Sequence, residues 1–421
     1  MEPIVVSIQR RIVKIVGAKS IRFSIALLSG IIAFQYFQTK VYEFPAPKPF
    51  SGQYWYNPYE TLNELWLKAN FHAHARSWFG LTDGKQSGDV MIKTYRDLGY
   101  HIACLSDYHK INASIFTPGN ISIPVYEHGS NLVKSHHLGI GAAHVVFNDV
   151  CLWQTNSIKQ FFIQQVKKHA SLVCINHPGL AGGHTIDEIS QLTGYECLEV
   201  FNNHLQYFPY WDAVLSAGRP VWILGNDDCH DLTKEKFATS WNLINAAVAN
   251  PTAALEAIRS GRSIAVRRNS IIYDYDSLRA WTRRNKGDIL RKVVVDGDRV
   301  VYWFNGQAAR VKLIGQGGHK LKEASGVDSI AYRFSAQDTY VRAEIETPAF
   351  TAYLNPLIRY DGTSAPSNVM LAKVRSFPTW TMRLSVMILY TLLIGILFPH
   401  LVHRIRNFSK RVLTIHEHTK A

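Results

Sequence analysis

Cysteine is scarce in this chain. Only five occur among 421 residues, an odd number with no Cys-x-x-Cys pair, so no disulfide framework is expected. Cys104, Cys174 and Cys197 stand in apolar, strand-like runs and read as buried thiols, whereas Cys229 lies inside a polar motif. Free thiols argue mildly against an oxidising compartment. Internal repeats and low-complexity tracts are also missing. With 47% hydrophobic and 19% charged residues, the composition is that of a globular protein with membrane-compatible ends.

The net charge of +14 invites a nucleic-acid reading, but its distribution argues otherwise. Arg10, Arg11, Lys14, Lys19 and Arg22 stand against Glu2 at one end, and Arg404, Arg406, Lys410, Arg411 and Lys420 against Glu417 at the other. These two ends carry more than half of the excess, which leaves nucleic acid a weak partner candidate. Each basic end borders an apolar segment, Phe23 to Phe37 and Leu384 to Val402. The second is long enough for a bilayer core of about 30 Å. Trp380 before it, with Arg404 and Arg406 after it, resembles a pair of interfacial anchors. No small-x-small site follows Phe37, which disfavours a cleaved signal peptide. Two membrane-spanning helices are therefore expected. Positive charge outside both spans places both termini in the cytoplasm and the intervening domain on the opposite face.

Between the spans the texture changes twice. Residues 1–39 form the basic N-terminus and first span, and 40–65, rich in proline and aromatics, read as a linker. From 66 to 284, short apolar runs (Ile102–Leu105, Ile121–Tyr126, Leu172–Ile175, Cys197–Phe201, Val221–Leu224) alternate with amphipathic stretches such as Asp89–Leu98 and Ser157–His169. In the latter, Ile158, Phe161, Phe162 and Val166 repeat at helical spacing. Such alternation predicts an α/β domain with a largely parallel sheet or barrel. Residues 285–365 are short strand-like runs split by turn residues and read as a small β-sandwich without a metal-like cluster. Residues 366–421 hold the second span and the basic tail.

Six motifs rich in His, Asp and Glu fall at the ends of the apolar runs: Phe71-His72-Ala73-His74, Ser106-Asp107-Tyr108-His109, Tyr126-Glu127-His128, Ser135-His136-His137, Asn176-His177-Pro178-Gly179 and Asn226-Asp227-Asp228-Cys229-His230. Imidazole and carboxylate hold Zn, Fe or Mn. Asp107, His177 and Asp228 each come just past an apolar run, so they gather at the carboxyl ends of strands, the face that carries the active site in a β/α barrel.

In this order the motifs resemble those of the PHP (polymerase and histidinol phosphatase) domain, over about residues 66–265. The resemblance implies a distorted seven-stranded β/α (TIM-like) barrel, two or three divalent metal ions (Zn, Mn or Fe) and a phosphoesterase activity. Carried over by position, His72 and His74 match the first ligand pair and Asp83 the acidic position of Thr82-Asp83-Gly84. Glu127 looks like the bridging carboxylate. His136 and His177 match two further ligands, and Asp228 and His230 the final Asp-x-His pair.

One segment departs from the family's Thr-Asp-His-Asn, because Ser106-Asp107-Tyr108-His109 places a tyrosine where the imidazole belongs. Either His109 serves one residue later, the reading adopted among the ligands, or Tyr108 replaces it and one metal subsite is weakened.

The implied reaction is hydrolysis of a phosphate ester by a metal-bridging hydroxide, with His72, Asp228 and His230 at its centre. Arg76 and Lys85, in the loop after His74, are candidate phosphate binders, and Asn203 a candidate for orienting the substrate. A membrane-anchored protein makes an envelope- or lipid-linked phosphorylated substrate a natural association. Two other readings stay open: a C–N bond metal hydrolase, although no metal-bridging lysine occurs in a suitable motif, and a non-catalytic, membrane-tethered binding module.

Overall fold

The computed structural model describes residues 2–399, except 204, 235, 236, 273 and 288, with side chains from Lys19 onward. The basic tail expected at 403–421 lies outside the described residues, as do the last residues of the expected second span. Two compact units are present: Met1–Tyr42 with Val374–Ala421, and Glu43–Lys373.

The first unit holds the helix α1 (Glu2–Gln38) and the C-terminal helix Ser376–Leu397, which touch each other. The Tyr390 hydroxyl donates to the Ala26 carbonyl, 3.2 Å away. Lys19–Gln38 and Ser376–Leu397 are long and apolar enough to cross a membrane. Their large side chains, Phe23, Leu27, Phe34, Leu389 and Ile396 among them, are exposed rather than packed in a protein core.

From Tyr42 the chain runs through the short strands β1 (Tyr42–Glu43) and β2 (Tyr54–Tyr56), followed by β3 (Trp66–Asn70) and β4 (Ile102–Ala103). Next come β5 (Val125–His128), β6 (His137–Ala142), β7 (Ala170–Ile175), β8 (Cys197–Phe201) and β9 (Trp222–Gly225). The chain continues through β10 (Ser240–Asn245), β11 (Ser263–Arg268), β12 (Leu290–Asp296), β13 (Arg299–Ile314) and β14 (Lys320–Arg333). It ends with β15 (Tyr340–Glu346), β16 (Phe350–Leu354), β17 (Leu357–Tyr360) and β18 (Lys373–Val374).

Helices form where the amphipathic spacing predicts them. In α2 (Gly88–Asp97) the Ser87 side chain caps the first turn, and Met91, Ile92 and Tyr95 are buried. In α3 (Asn156–Lys167), capped by Thr155, the four apolar residues Ile158, Phe161, Phe162 and Val166 face the core. Helix α4 (Ile186–Gln191) begins with a Thr185–Glu188 capping box, and Pro209 sits in the first turn of α5 (Phe208–Ser216).

The sheet is mixed rather than largely parallel. Crossovers through α2, α4 and α5 make β3/β4, β7/β8 and β8/β9 parallel. The short link from β5 to β6 makes that pair antiparallel, and the reversed β6 is then antiparallel to β7 as well. The start of β6, rather than its end, therefore joins the rim where the other strands finish.

The seven strands β3–β9 do not share one continuous ladder. Strands β5 to β9 form a five-stranded sheet, while β3 and β4 belong to an eleven-stranded one. The two are stitched at the strand ends by single bridges, Tyr108 with Glu127 and Ala73 with Cys229. The expected sandwich at 285–365 is not set apart either. Strand β16 pairs with β11 over Phe350–Leu354, so the C-terminal strands extend the sheet that contains β3. Local periodicity reveals strands, but this pairing joins residues 82 to 90 apart in sequence and has no local signature. A buried, two-pronged ion pair reinforces the junction: Arg342 Nε and Nη2 each lie 2.8 Å from an oxygen of Asp212 in α5.

Candidate metal centre

The centre is assembled where β3, β4, β5, β7, β8 and β9 end and β6 begins. Past β3, alternation sends the side chains of His72 and His74 to one face, and both are buried. This segment is clamped on either side: His74 N–H donates to the Cys229 carbonyl and Ser106 N–H to the Ala73 carbonyl, each at 2.8 Å. Asp107 accepts the Ala75 N–H on one oxygen and the Asn112 amide on the other, so it holds the backbone rather than facing the centre.

Glu127, in β5, lies at the middle. Its Oε1 is 3.0 Å from His136 Nδ1, 3.3 Å from His177 Nε2 and 2.9 Å from the Asn176 amide nitrogen. Its Oε2 is 3.1 Å from His74 Nε2 and 3.4 Å from His72 Nε2. Asp228 adds an oxygen 3.1 Å from His72 Nε2 and 3.4 Å from His74 Nε2. Gly129 is a requirement of this packing: with φ of 143°, its backbone passes so close to His136 that a Cβ would sit 2.2 Å from the ring. His177 and Asp228 are themselves in the left-handed region (φ 24° and 51°), strain of a kind that collects at functional sites.

Burial alone would raise the Glu127 carboxyl, but His72 and His136 outweigh it and hold it well below the ordinary carboxylate value. Asp228 is lowered in the same way by His72, His74 and His177. Burial would depress His74, yet its hydrogen bonds to Asp228 and Glu127 raise it to about 9. His136 goes the other way, since burial prevails over Glu127.

These residues fit divalent cations. His72 Nδ1 is bonded to Glu199 Oε1 at 2.8 Å, which leaves Nε2 as the bare lone pair. That lone pair faces His74 Nε2 at 3.2 Å as well as the two carboxylate oxygens. His72 Nε2, His74 Nε2 and one oxygen each of Glu127 and Asp228 thus converge within 3.1–3.4 Å, an arrangement that needs a proton or a metal ion at the meeting point. His72, His74 and Asp228 form one group able to hold a metal, and His72, Glu127 and His177 another.

The other sequence candidates divide. His230 stacks on His74 (ring centres 4.3 Å apart) and reaches Asp83 at 3.4 Å, so this pair stands at the rim; Asp83 itself is exposed. Arg76 and Lys85 are exposed cations on the loop after His74. Asn203 accepts from the Thr239 hydroxyl at 2.8 Å, while its amide nitrogen is buried without a partner.

His109 is not part of the cluster. Its Nδ1 is 2.9 Å from the Val146 carbonyl, its Nε2 accepts the Gly129 N–H, and its ring stacks on Phe147. The chain turns at His109, whose φ of 50° is left-handed, and Tyr108, bridged to Glu127, takes the inward direction. The tyrosine ring stacks on His74 at 4.7 Å and meets His136 edge-on at 5.7 Å. Burial, reinforced by Glu127 and Asp228, raises the Tyr108 phenol, which stays protonated.

Sequence reasoning missed Glu199. Besides His72 it accepts from Asn226 at 3.0 Å, from the His177 N–H at 3.2 Å and from Asn202 at 3.3 Å. The available signal was an acid inside the apolar run Cys-Leu-Glu-Val-Phe, where every residue is buried.

No protein-family profile and no curated protein matches the chain. Among solved structures, a two-domain protein from Bacteroides vulgatus, described as containing a predicted PHP-like metal-dependent phosphoesterase, aligns with 79% of this chain and 99% of its own. The identity is 15% and the TM-score 0.39, a distant likeness.

Proposed function

We propose that the chain is a metal-dependent phosphoesterase with its reaction centre at the Glu127–Asp228 cluster. The supporting observation is the bare Nε2 of His72 facing His74, Glu127 and Asp228. One imidazole lone pair serves one ion, so the two groups that share His72 cannot both use it. The donors divide instead about Glu127, with His72, His74, Asp228 and Oε2 on one side and Oε1, His136 and His177 on the other. Two ions is the count this division favours, since His109 is turned away.

Bound there, divalent ions would lower the pKa of a water and neutralise phosphoryl oxygens during in-line displacement. The chain's own residues do the rest. Glu199 fixes the ring of His72, and Asn176 steadies Glu127 from the second side. Tyr108, held neutral, presents a hydroxyl that can donate to a phosphoryl or leaving oxygen. Arg76 and Lys85 supply positive charge at the entrance, as fork and point charge respectively. The phosphate-ester class rests on the PHP-like motif order. The same centre would suit a C–N bond hydrolase, but without a lysine among the clustered groups that reading has less behind it.

The test is metal analysis of the purified chain, followed by a panel of phosphomonoesters, phosphodiesters and amides. Two equivalents of Zn, Mn or Fe with phosphate release are expected, falling to one equivalent without phosphate release in His72→Ala. Full activity after chelation would refute the proposal, and amide cleavage without phosphate release would select the other hydrolase class.

A further inference from the structure

We propose that the centre acts on an amphiphilic phosphate ester whose apolar chain lies in a groove beside Tyr108, an inference that rests on the phosphoesterase reading. The groove has a volume of about 810 Å³, and its walls include Arg76, Trp78, Phe79, Lys110, Ile111 and Phe147. It is tied to the centre by two contacts. The Trp78 indole N–H donates to the Tyr108 carbonyl at 2.7 Å, and Tyr108 in turn stacks on His74. His109, excluded from the cluster, forms part of the groove wall and packs against Phe147.

The chemistry of these walls is mixed in a specific way. Phe79 is fully exposed, Phe147 and Leu81 are largely so, and Trp78 is partly so. Exposed aromatics gathered at one rim mark a binding surface rather than ordinary scatter. Trp78 and Phe79 are also consecutive non-glycine residues in the left-handed region (φ 49° and 57°), a conformation that L side chains disfavour. That strain is spent on holding a phenyl ring in water, which packing within this chain does not explain. Arg76 and Phe79 also line a second cavity with Lys85, so cationic and apolar groups stand side by side. A ligand with phosphate at one end and a hydrocarbon chain at the other satisfies both. A phosphate ester without an apolar body would leave the aromatics wet. The same chain carries two helices apolar enough to enter a bilayer, in keeping with a substrate of that environment.

The experiment is calorimetric titration of the metal-loaded, full-length protein in detergent with methylphosphonate, hexylphosphonate and hexanol, each below its critical micelle concentration. The expected result is hexylphosphonate binding at least about tenfold tighter than methylphosphonate, with hexanol far weaker than hexylphosphonate. In Phe79→Ser/Phe147→Ser, both surface positions, the hexyl-to-methyl ratio should fall to about one. Equal binding of the two phosphonates, or a ratio unchanged in the double variant, overturns the inference and leaves the phosphoesterase reading standing. Hexanol binding as tightly as hexylphosphonate would make the groove a general apolar surface, such as a membrane contact, and also overturns it. No phosphonate binding at all would remove the phosphoesterase reading and this inference together.

Discussion

Glu199 Oε1 and His72 Nδ1 are 2.8 Å apart, both fully buried, and this hydrogen bond decides which nitrogen of His72 faces Glu127 and Asp228. Glu199 accepts from four donors in all, so a glutamine there would turn an NH₂ group against at least one of them. Glu199→Gln should therefore weaken metal affinity by about 10- to 100-fold while the protein still folds. Competition with a chelator of known affinity measures it; an unchanged affinity would show that the His72 ring is held by packing alone.

Tyr108 turns toward the cluster, stacks on His74 and carries a protonated hydroxyl. Tyr108→Phe should keep full metal content and lose about tenfold or more in kcat if the hydroxyl donates during the reaction. Tyr108→His should raise metal uptake above that of the natural chain. Metal analysis and steady-state kinetics on the same preparations read both outcomes, and loss of metal in Tyr108→Phe would contradict the assigned role.

His109 is engaged at both ring nitrogens away from the centre. His109→Ala is expected to leave metal stoichiometry untouched and to cost about 1–3 kcal/mol of stability by stranding the Val146 carbonyl and the Gly129 N–H. Loss of a metal ion in this variant would restore it as a ligand.

The comparison of sequence and structure turns on these neighbours. His72, His74, Glu127, His136, His177 and Asp228 were legible because each sits at a strand end and shows a ligand type in a recognisable order. The Tyr108–His109 step was not, because only the bridge between Tyr108 and Glu127, and a φ of 50° at His109, decide which side chain turns inward. Glu199 was hidden for a different reason: its partners come from His72, His177, Asn202 and Asn226, four separate points on the chain. The same limit applies to the fold. The individual strands after residue 285 were apparent, whereas the β11–β16 pairing that merges them with the sheet containing β3 is a long-range contact.

Asp212 and Arg342 join α5 to β15 through that merged region, with Tyr340 adding a 3.1 Å bond to the same carboxylate. Asp212→Ala would leave a buried guanidinium facing no carboxylate but Glu344. A loss of about 3–5 kcal/mol is expected, visible as a large drop in Tm without change in the residual protein's metal binding per folded chain. A shift within the error of the melt would show that the C-terminal strands are held by their backbone ladders alone.

Lys68, outside the His–Glu–Asp cluster, gives a pH signature of its own. Its ammonium is buried, donates to the Leu98 carbonyl at 3.2 Å and lies over the rings of Tyr100 and Trp241 at 4.2 and 4.9 Å. Burial lowers its pKa from 10.5 to about 7, with Asp227 opposing and Arg268 adding to the shift. Between those two values the unfolded chain binds the proton and the folded chain does not, so stability rises with pH across the window, by about 1.4 kcal/mol per unit. Below pH 7 both states are charged and the full cost of burying the ammonium is borne. Lys68→Met should therefore be more stable than the natural chain at pH 6, and the gap should narrow steadily as the pH approaches 10. Thermal melts of the two proteins at matched pH values test this, and parallel Tm profiles from pH 6 to 10 would mean that Lys68 keeps its proton in the folded state.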